Sequence, residues 1–216
     1  MSQAENKTGS YLGLKLFAAA LLATALLFAW SSSNYRISDQ TQDTWIDDTG
    51  HLHVLGITIG RTTLRDAEIS LKSRSDIALY IYPEEHAEAG LRLEAFFPSI
   101  ADHSKVILEL VADDQILKQI ETRATLPHLY PNAVARMNVH PEDLPQIQQM
   151  IVKNLILIPS INISPEMLQN RFGAASTILP GDEDTTYYFF PEIGLKATLN
   201  DKDVTRLQFS NPLSVQ

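Results

Sequence analysis

The chain predicts an α+β fold. It reads as an N-terminal transmembrane helix followed by two units, each a helix plus a three-stranded antiparallel meander, with an αβ insert between them. Three observations lead there. Tyr11–Trp30 is a twenty-residue apolar run broken only by Lys15. Two later segments each begin at a hydroxyl residue, carry apolar residues four apart and lead into an aromatic strand that ends in proline. The stretch between them mixes short apolar runs with charged and proline-rich turns.

Residues 1–10 are polar and read as a cytoplasmic tail. As a helix, Tyr11–Trp30 would be ~30 Å long, the thickness of a bilayer's hydrocarbon core. Lys15 lies near its start, where its amine reaches back to the headgroups. Lys7 and Lys15 against Glu5 make the N-terminal side weakly positive, whereas the far side carries Arg36 but also Asp39, Asp43, Asp47 and Asp48. The positive-inside bias therefore places the N-terminus in the cytoplasm and the main domain in the periplasm, as a single-pass inner-membrane protein. A second reading stays open, in which Ala29-Trp30-Ser31 is a cleavage site and the domain is released to the periplasm. Residues 31–44 are polar and read as a tether.

The first α+β repeat spans 45–112. Thr63 caps a helix carrying Ala67 and Leu71 on one face. Ala78–Tyr82 then reads as a strand stopped by Pro83, Gly90–Leu93 as a second and Lys105–Ala112 as a third. The insert spans 113–160. In it Asp113 and Asp114 either cap a helix carrying Ile116, Leu117 and Ile120 or turn a hairpin. Ala133–Val139 reads as a strand, His140–Asp143 starts a helix and Asn154–Ile158 is a buried strand ended by Pro159. The second repeat spans 161–216. Ser164 caps a helix with Pro165 in its first turn and Gly173 as its stop. Tyr187–Phe190, ended by Pro191, then Gly194–Ala197 and Val204–Ser210 form the second meander. Each repeat alone has little core, so the two are expected to face each other and bury their apolar sides.

Composition excludes several functions. There is no cysteine, which removes disulfides, thiol catalysis, zinc-thiolate sites and a lipidated cysteine anchor. The net charge of −9 repels nucleic acid.

The hydroxyl cap, short helix, aromatic strand and glycine-turned meander resemble the module of small protein A, the outer-membrane-assembly lipoprotein, and of beta-lactamase inhibitor protein. Gly60–Leu71, Ser164–Gly173 and Tyr187–Ser210 carry that likeness. The chain also resembles uncharacterised membrane-anchored envelope proteins of Gram-negative bacteria through Ile158-Pro159, Arg171-Phe172-Gly173, Phe190-Pro191 and Gly194-Leu195. These resemblances imply a non-enzymatic envelope protein that binds a protein partner.

Local catalytic signatures are missing: no Gly-x-Ser-x-Gly, no His-Glu-x-x-His and no phosphate-binding glycine loop. His51 and His53 alternate like a metal half-site, but their apolar neighbours make them an ordinary strand start. Glu84, Glu85, His86 and Glu88, and Asp182, Glu183 and Asp184, read as solvated loops, lacking the spacing of a calcium loop. No residue is assigned to catalysis, a cofactor or a metal. Tyr80, Tyr82, Tyr188 and Phe190 are candidates for a partner or ligand surface, against a reading that buries them.

The expected function is a non-enzymatic, membrane-tethered periplasmic binding or scaffold module, attached through Tyr11–Trp30 and engaging an envelope protein. A small-ligand or lipid-binding exported protein is the alternative. A hydrolase with a histidine site assembled in space, drawing on His51, His53 or His86, is the third reading.

Overall fold

Ten antiparallel strands form the main sheet of the computed structural model, which describes residues 13, 15–17, 20, 21, 24, 44–86, 89–182, 184–200 and 202–212. The chain divides into two units, Met1–Thr41 and Gln42–Gln216. In the first, Gly13, Lys15, Leu16, Phe17, Ala20, Leu21 and Thr24 are helical. The remainder of Tyr11–Trp30, residues 1–10 and the tether up to Asp43 lie outside the described residues. No described helix is long and apolar enough to cross a membrane, so the expected transmembrane helix is not part of the described fold.

The second unit opens with a small antiparallel sheet of β1 (Trp45–Ile46), β2 (Leu52–Val54) and β3 (Ile57–Thr58). Helix α1 (Leu64–Leu71) follows, capped by Thr63, whose Oγ1 accepts from the Asp66 amide at 3.2 Å and donates to the Asp66 carboxylate at 2.8 Å. Next come β4 (Asp76–Tyr82), β5 (Gly90–Phe97) and β6 (Lys105–Leu110), then α2 (Asp114–Arg123). Asp113 caps α2 by accepting from the Ile116 amide at 2.8 Å, which decides between its two sequence readings. Strands β7 (Thr125–Leu129) and β8 (Ala135–Asn138), a 3-10 turn at Pro141–Asp143 and the one-turn α3 (Leu144–Ile147) lead to β9 (Val152–Ile158). Helix α4 (Pro165–Phe172), capped by Ser164, precedes β10 (Thr177–Pro180), β11 (Thr185–Phe190), β12 (Leu195–Asn200) and β13 (Arg206–Ser210).

The strand order is β10-β11-β12-β13-β9-β6-β5-β4-β8-β7. This order corrects the expected fold. The two meanders do not face each other as separate units; they lie side by side in a mostly antiparallel fold with few helices. The reason is β9. It pairs with β6 on one side and β13 on the other, so each meander's inner edge is closed by the same strand. Because β6 and β13 both run antiparallel to β9, they run parallel to each other. The strand order is therefore reversed about β9, and superposing the meanders would require turning the sheet over. Their helices nevertheless pack into one core: Leu64, Ala67 and Leu71 of α1 join the same buried cluster as Leu168 of α4. The two helix–meander runs are thus opposite in hand, which a straightforward duplication does not produce.

That core covers one face of the sheet. Register places Leu79, Leu93, Ala95, Phe97, Val106, Leu108, Leu155, Leu157, Leu207, Phe209, Ala197 and Leu195 together on it, and all are buried. The small sheet adds Leu52, Val54, Ile57 and Ile59. Each buried Leu, Ile, Val or Phe side chain stabilises the fold by roughly 1.5–3 kcal/mol. The buried Asp143 carboxylate is held by the partly exposed Arg123 at the end of α2, an ion pair that the sequence did not signal.

Candidate functional site

Strand alternation puts every second residue on the opposite face. Among the described residues no helix-borne core packs against that face: its large residues are half-buried, and Tyr80, Phe96, Ile107 and Ile156 are not among the residues joined to the hydrophobic core. The open face is therefore the natural place to look for a binding surface.

Register lays its residues out in rows. One row crosses seven strands: Phe96, Ile107, Ile156, Gln208, Lys196, Phe189 and Thr177 are successive cross-strand partners. A parallel row holds Arg206, Thr198, Tyr187 and Leu179. A third holds Ala78, Glu94, Glu109, Asn154 and Ser210.

The third row sets Glu94 directly opposite Glu109, an arrangement that repels unless both charges are occupied. Both are. The Tyr82 hydroxyl donates to Glu94 at 3.0 Å. Glu109 accepts from Lys153 at 2.8 Å, Asn154 at 2.7 Å and Arg92 at 3.2 Å. Burial pushes the Glu109 carboxyl up, but these donors and the charges of Lys153 and Arg92 outweigh it and hold it below the usual glutamate value. Arg92 also lies over the Tyr82 ring, 5.7 Å from its centroid. Tyr80 sits beside Tyr82, with ring centroids 6.3 Å apart. Burial, helped by the field of Glu94, pushes the Tyr80 phenol upward, so it remains neutral over the ordinary range. One half of the open face is thus a paired, rigid polar network.

The other half is aromatic and cationic. Lys196 reaches across the Tyr187 and Phe189 rings, at 4.9 and 5.9 Å from their centroids. Beside it a groove of about 630 Å³ is lined by Leu179, Phe189, Pro191, Leu195, Lys196 and Pro212, with hydroxyl groups of Ser176, Thr177 and Ser210. Gly194 is part of its lining. Its φ is +57°, and a Cβ there would stand 1.9 Å from the Ser210 carbonyl oxygen, so only glycine fits.

The four aromatic candidates divide. Tyr80 and Tyr82 lie on the open face. Tyr188 and Phe190 point to the covered face; Phe190 is 5% exposed and its ring packs 5.9 Å from Phe172 of α4. The structure does not bring the four together. Sequence alternation separates Tyr187 and Phe189 from Tyr188 and Phe190 but cannot tell which pair the helices cover. Lys196 carried no signal at all.

The histidines are held by local bonds. His53 Nε2 is 3.1 Å from Asp47 Oδ2 and its Nδ1 is 3.0 Å from Thr58 Oγ1, while Trp45 stacks on the ring at 4.0 Å. His51 Nδ1 is 3.0 Å from Thr49 Oγ1. Both nitrogens of His53 are thus engaged, and the Asp47–His53–Thr58 line ties β1, β2 and β3 together. Hydrogen bonds from Thr49 and from the His51 amide, with help from His53, hold Asp47 far below the usual carboxylate range despite an opposing contribution from burial. His86 packs 4.8 Å from Tyr82 on the β4–β5 loop; Glu88 and Glu183 lie outside the described residues. Among the described residues no three His, Asp or Glu side chains stand close enough to hold a metal ion.

No protein-family model matches the chain, and no curated protein matches it. Among solved structures, a DUF4309 family protein, YjgB from Bacillus subtilis subsp. subtilis str. 168, is similar at 10% identity, covering 76% of this chain and 88% of that one, with a TM-score of 0.38. At that level the likeness carries no argument about fold or function.

Proposed function

We propose that the protein is a non-enzymatic binding module of the cell envelope, directed there by the apolar segment Tyr11–Trp30, and that it engages a protein partner with the open face of its large sheet. The observation that carries this reading is the asymmetry of the sheet. One face is filled by helices and the small sheet. The other bears Phe96, Ile107, Ile156, Tyr187 and Phe189, and among the described residues no core is packed on them. Aromatic residues interleaved with arginine, here Arg92 and Arg206, are the composition of protein-binding surfaces. The occupied Glu94–Glu109 network supports the same reading, because it presents a pre-ordered polar border at no further ordering cost.

Site-specific photo-crosslinking in intact cells tests it. A photoreactive residue at Thr198 or Gln208 on the open face should give one discrete adduct. The same probe at Lys118, exposed on α2, should give none. Adducts from Lys118 alone, or from neither face, would remove the reading.

A further inference from the structure

The groove beside Lys196 is a different kind of surface from the paired network across the sheet. We infer that it is a binding site for a monoanionic amphiphile, a carboxylate attached to an alkyl chain, with Lys196 meeting the carboxylate and the groove taking the chain.

Three features carry this. The first is shape: about 630 Å³ lies within the size range of small-molecule sites. The second is lining. Leu179, Phe189, Pro191 and Pro212 give apolar walls, and Leu179 is 48% exposed on the edge strand β10, leaving apolar surface that nothing described covers. The third is charge. Lys196 is the only charged residue among the described residues lining the groove, in a chain whose net charge is −9. Among the described residues it has no carboxylate partner. Its ammonium rests on the Tyr187 and Phe189 rings, which hold it at the groove without neutralising it. Arg206, one row further along the same face opposite Thr198, is a second cation on this side of the sheet and is paired with Asp203 at 3.8 Å.

An apolar slot with one aromatic-braced cation selects a ligand with one negative charge and a hydrocarbon body. A dianionic head would leave one charge unmatched in a half-dry site. An uncharged alcohol of the same length would leave Lys196 unpaired. The groove shares Phe189 with the open face, so a protein and an amphiphile would meet at that corner, but crosslinking in cells reads the first and lipid-probe labelling of the isolated chain reads the second, so either proposal can fail without the other.

The test uses the full chain in lipid bilayers with two photoactivatable probes, diazirine-bearing hexadecanoate and the matching hexadecanol, followed by peptide mapping. Hexadecanoate should label the peptides spanning 176–179 and 189–195. Lys196→Gln should reduce that labelling at least about fivefold while leaving hexadecanol labelling unchanged. Leu179→Asp, at an exposed edge position that tolerates polarity, should reduce labelling by both probes. Equal hexadecanoate labelling of the wild type and Lys196→Gln would overturn the assignment, as would labelling confined to residues 11–30.

Discussion

Leu155→Ala tests the architecture at its centre. Leu155 is fully buried in the middle of β9, opposite Leu108 of β6 and Phe209 of β13. Leucine-to-alanine changes in cores cost roughly 2–5 kcal/mol, the larger values arising where neighbours cannot collapse into the space. Here the neighbours sit on two hydrogen-bonded strands whose spacing is fixed, so the cost should be about 3–4 kcal/mol. For a domain of this size that lowers Tm by roughly 6–15 °C. The decisive readout is where protection is lost. Hydrogen exchange followed by peptide mapping should show faster exchange in both β4–β6 and β11–β13, because a single strand joins them. Ile156→Ala, one residue along and on the open face, should cost about 1 kcal/mol or less. Faster exchange in only one meander, or a cost for Leu155→Ala below about 1 kcal/mol, would refute the continuous sheet.

Two further outcomes follow from local geometry. Gly194→Ala should destabilise by more than about 2 kcal/mol, since it adds a Cβ 1.9 Å from the Ser210 carbonyl oxygen at φ +57°; an unchanged chemical-denaturation midpoint would contradict that packing. Asp47 is held far below its usual value near 3.8, so its contribution to stability is complete above about pH 4 and is lost as pH falls further. Asp47→Asn should therefore flatten the stability loss below pH 4, followed by the fluorescence of Trp45, whose ring stacks on His53; an unaltered acid limb would show that the Asp47 network does not stabilise the fold.

The legible parts of the fold were local. Thr63 and Ser164 announce helices because a cap is decided within four residues, whereas Asp113 fits a cap or a hairpin turn equally until the strands around it are placed. The aromatic strands at β4 and β11 stand out by composition. Strands β7 and β10 did not, because Pro127 and Pro180 argue against a strand, and it is at the sheet's edges that proline is tolerated. The apolar run in β9 reads as buried, but its role as the bridge between two meanders depends on partners about fifty residues away on each side, and no local pattern encodes them. The candidate site was half-legible for the same reason. Alternation sorts Tyr80 with Tyr82 and Tyr187 with Phe189, yet which side the helices cover is a property of the assembled sheet.

The most direct test is hydroxyl-radical footprinting of the chain in intact cells and after purification. Phe97 and Phe209, in the core, should be protected in both. Tyr82, Phe96, Tyr187 and Phe189 should be labelled in the purified protein and protected in cells, where a partner covers the open face. Equal labelling of these four in both settings would contradict the account.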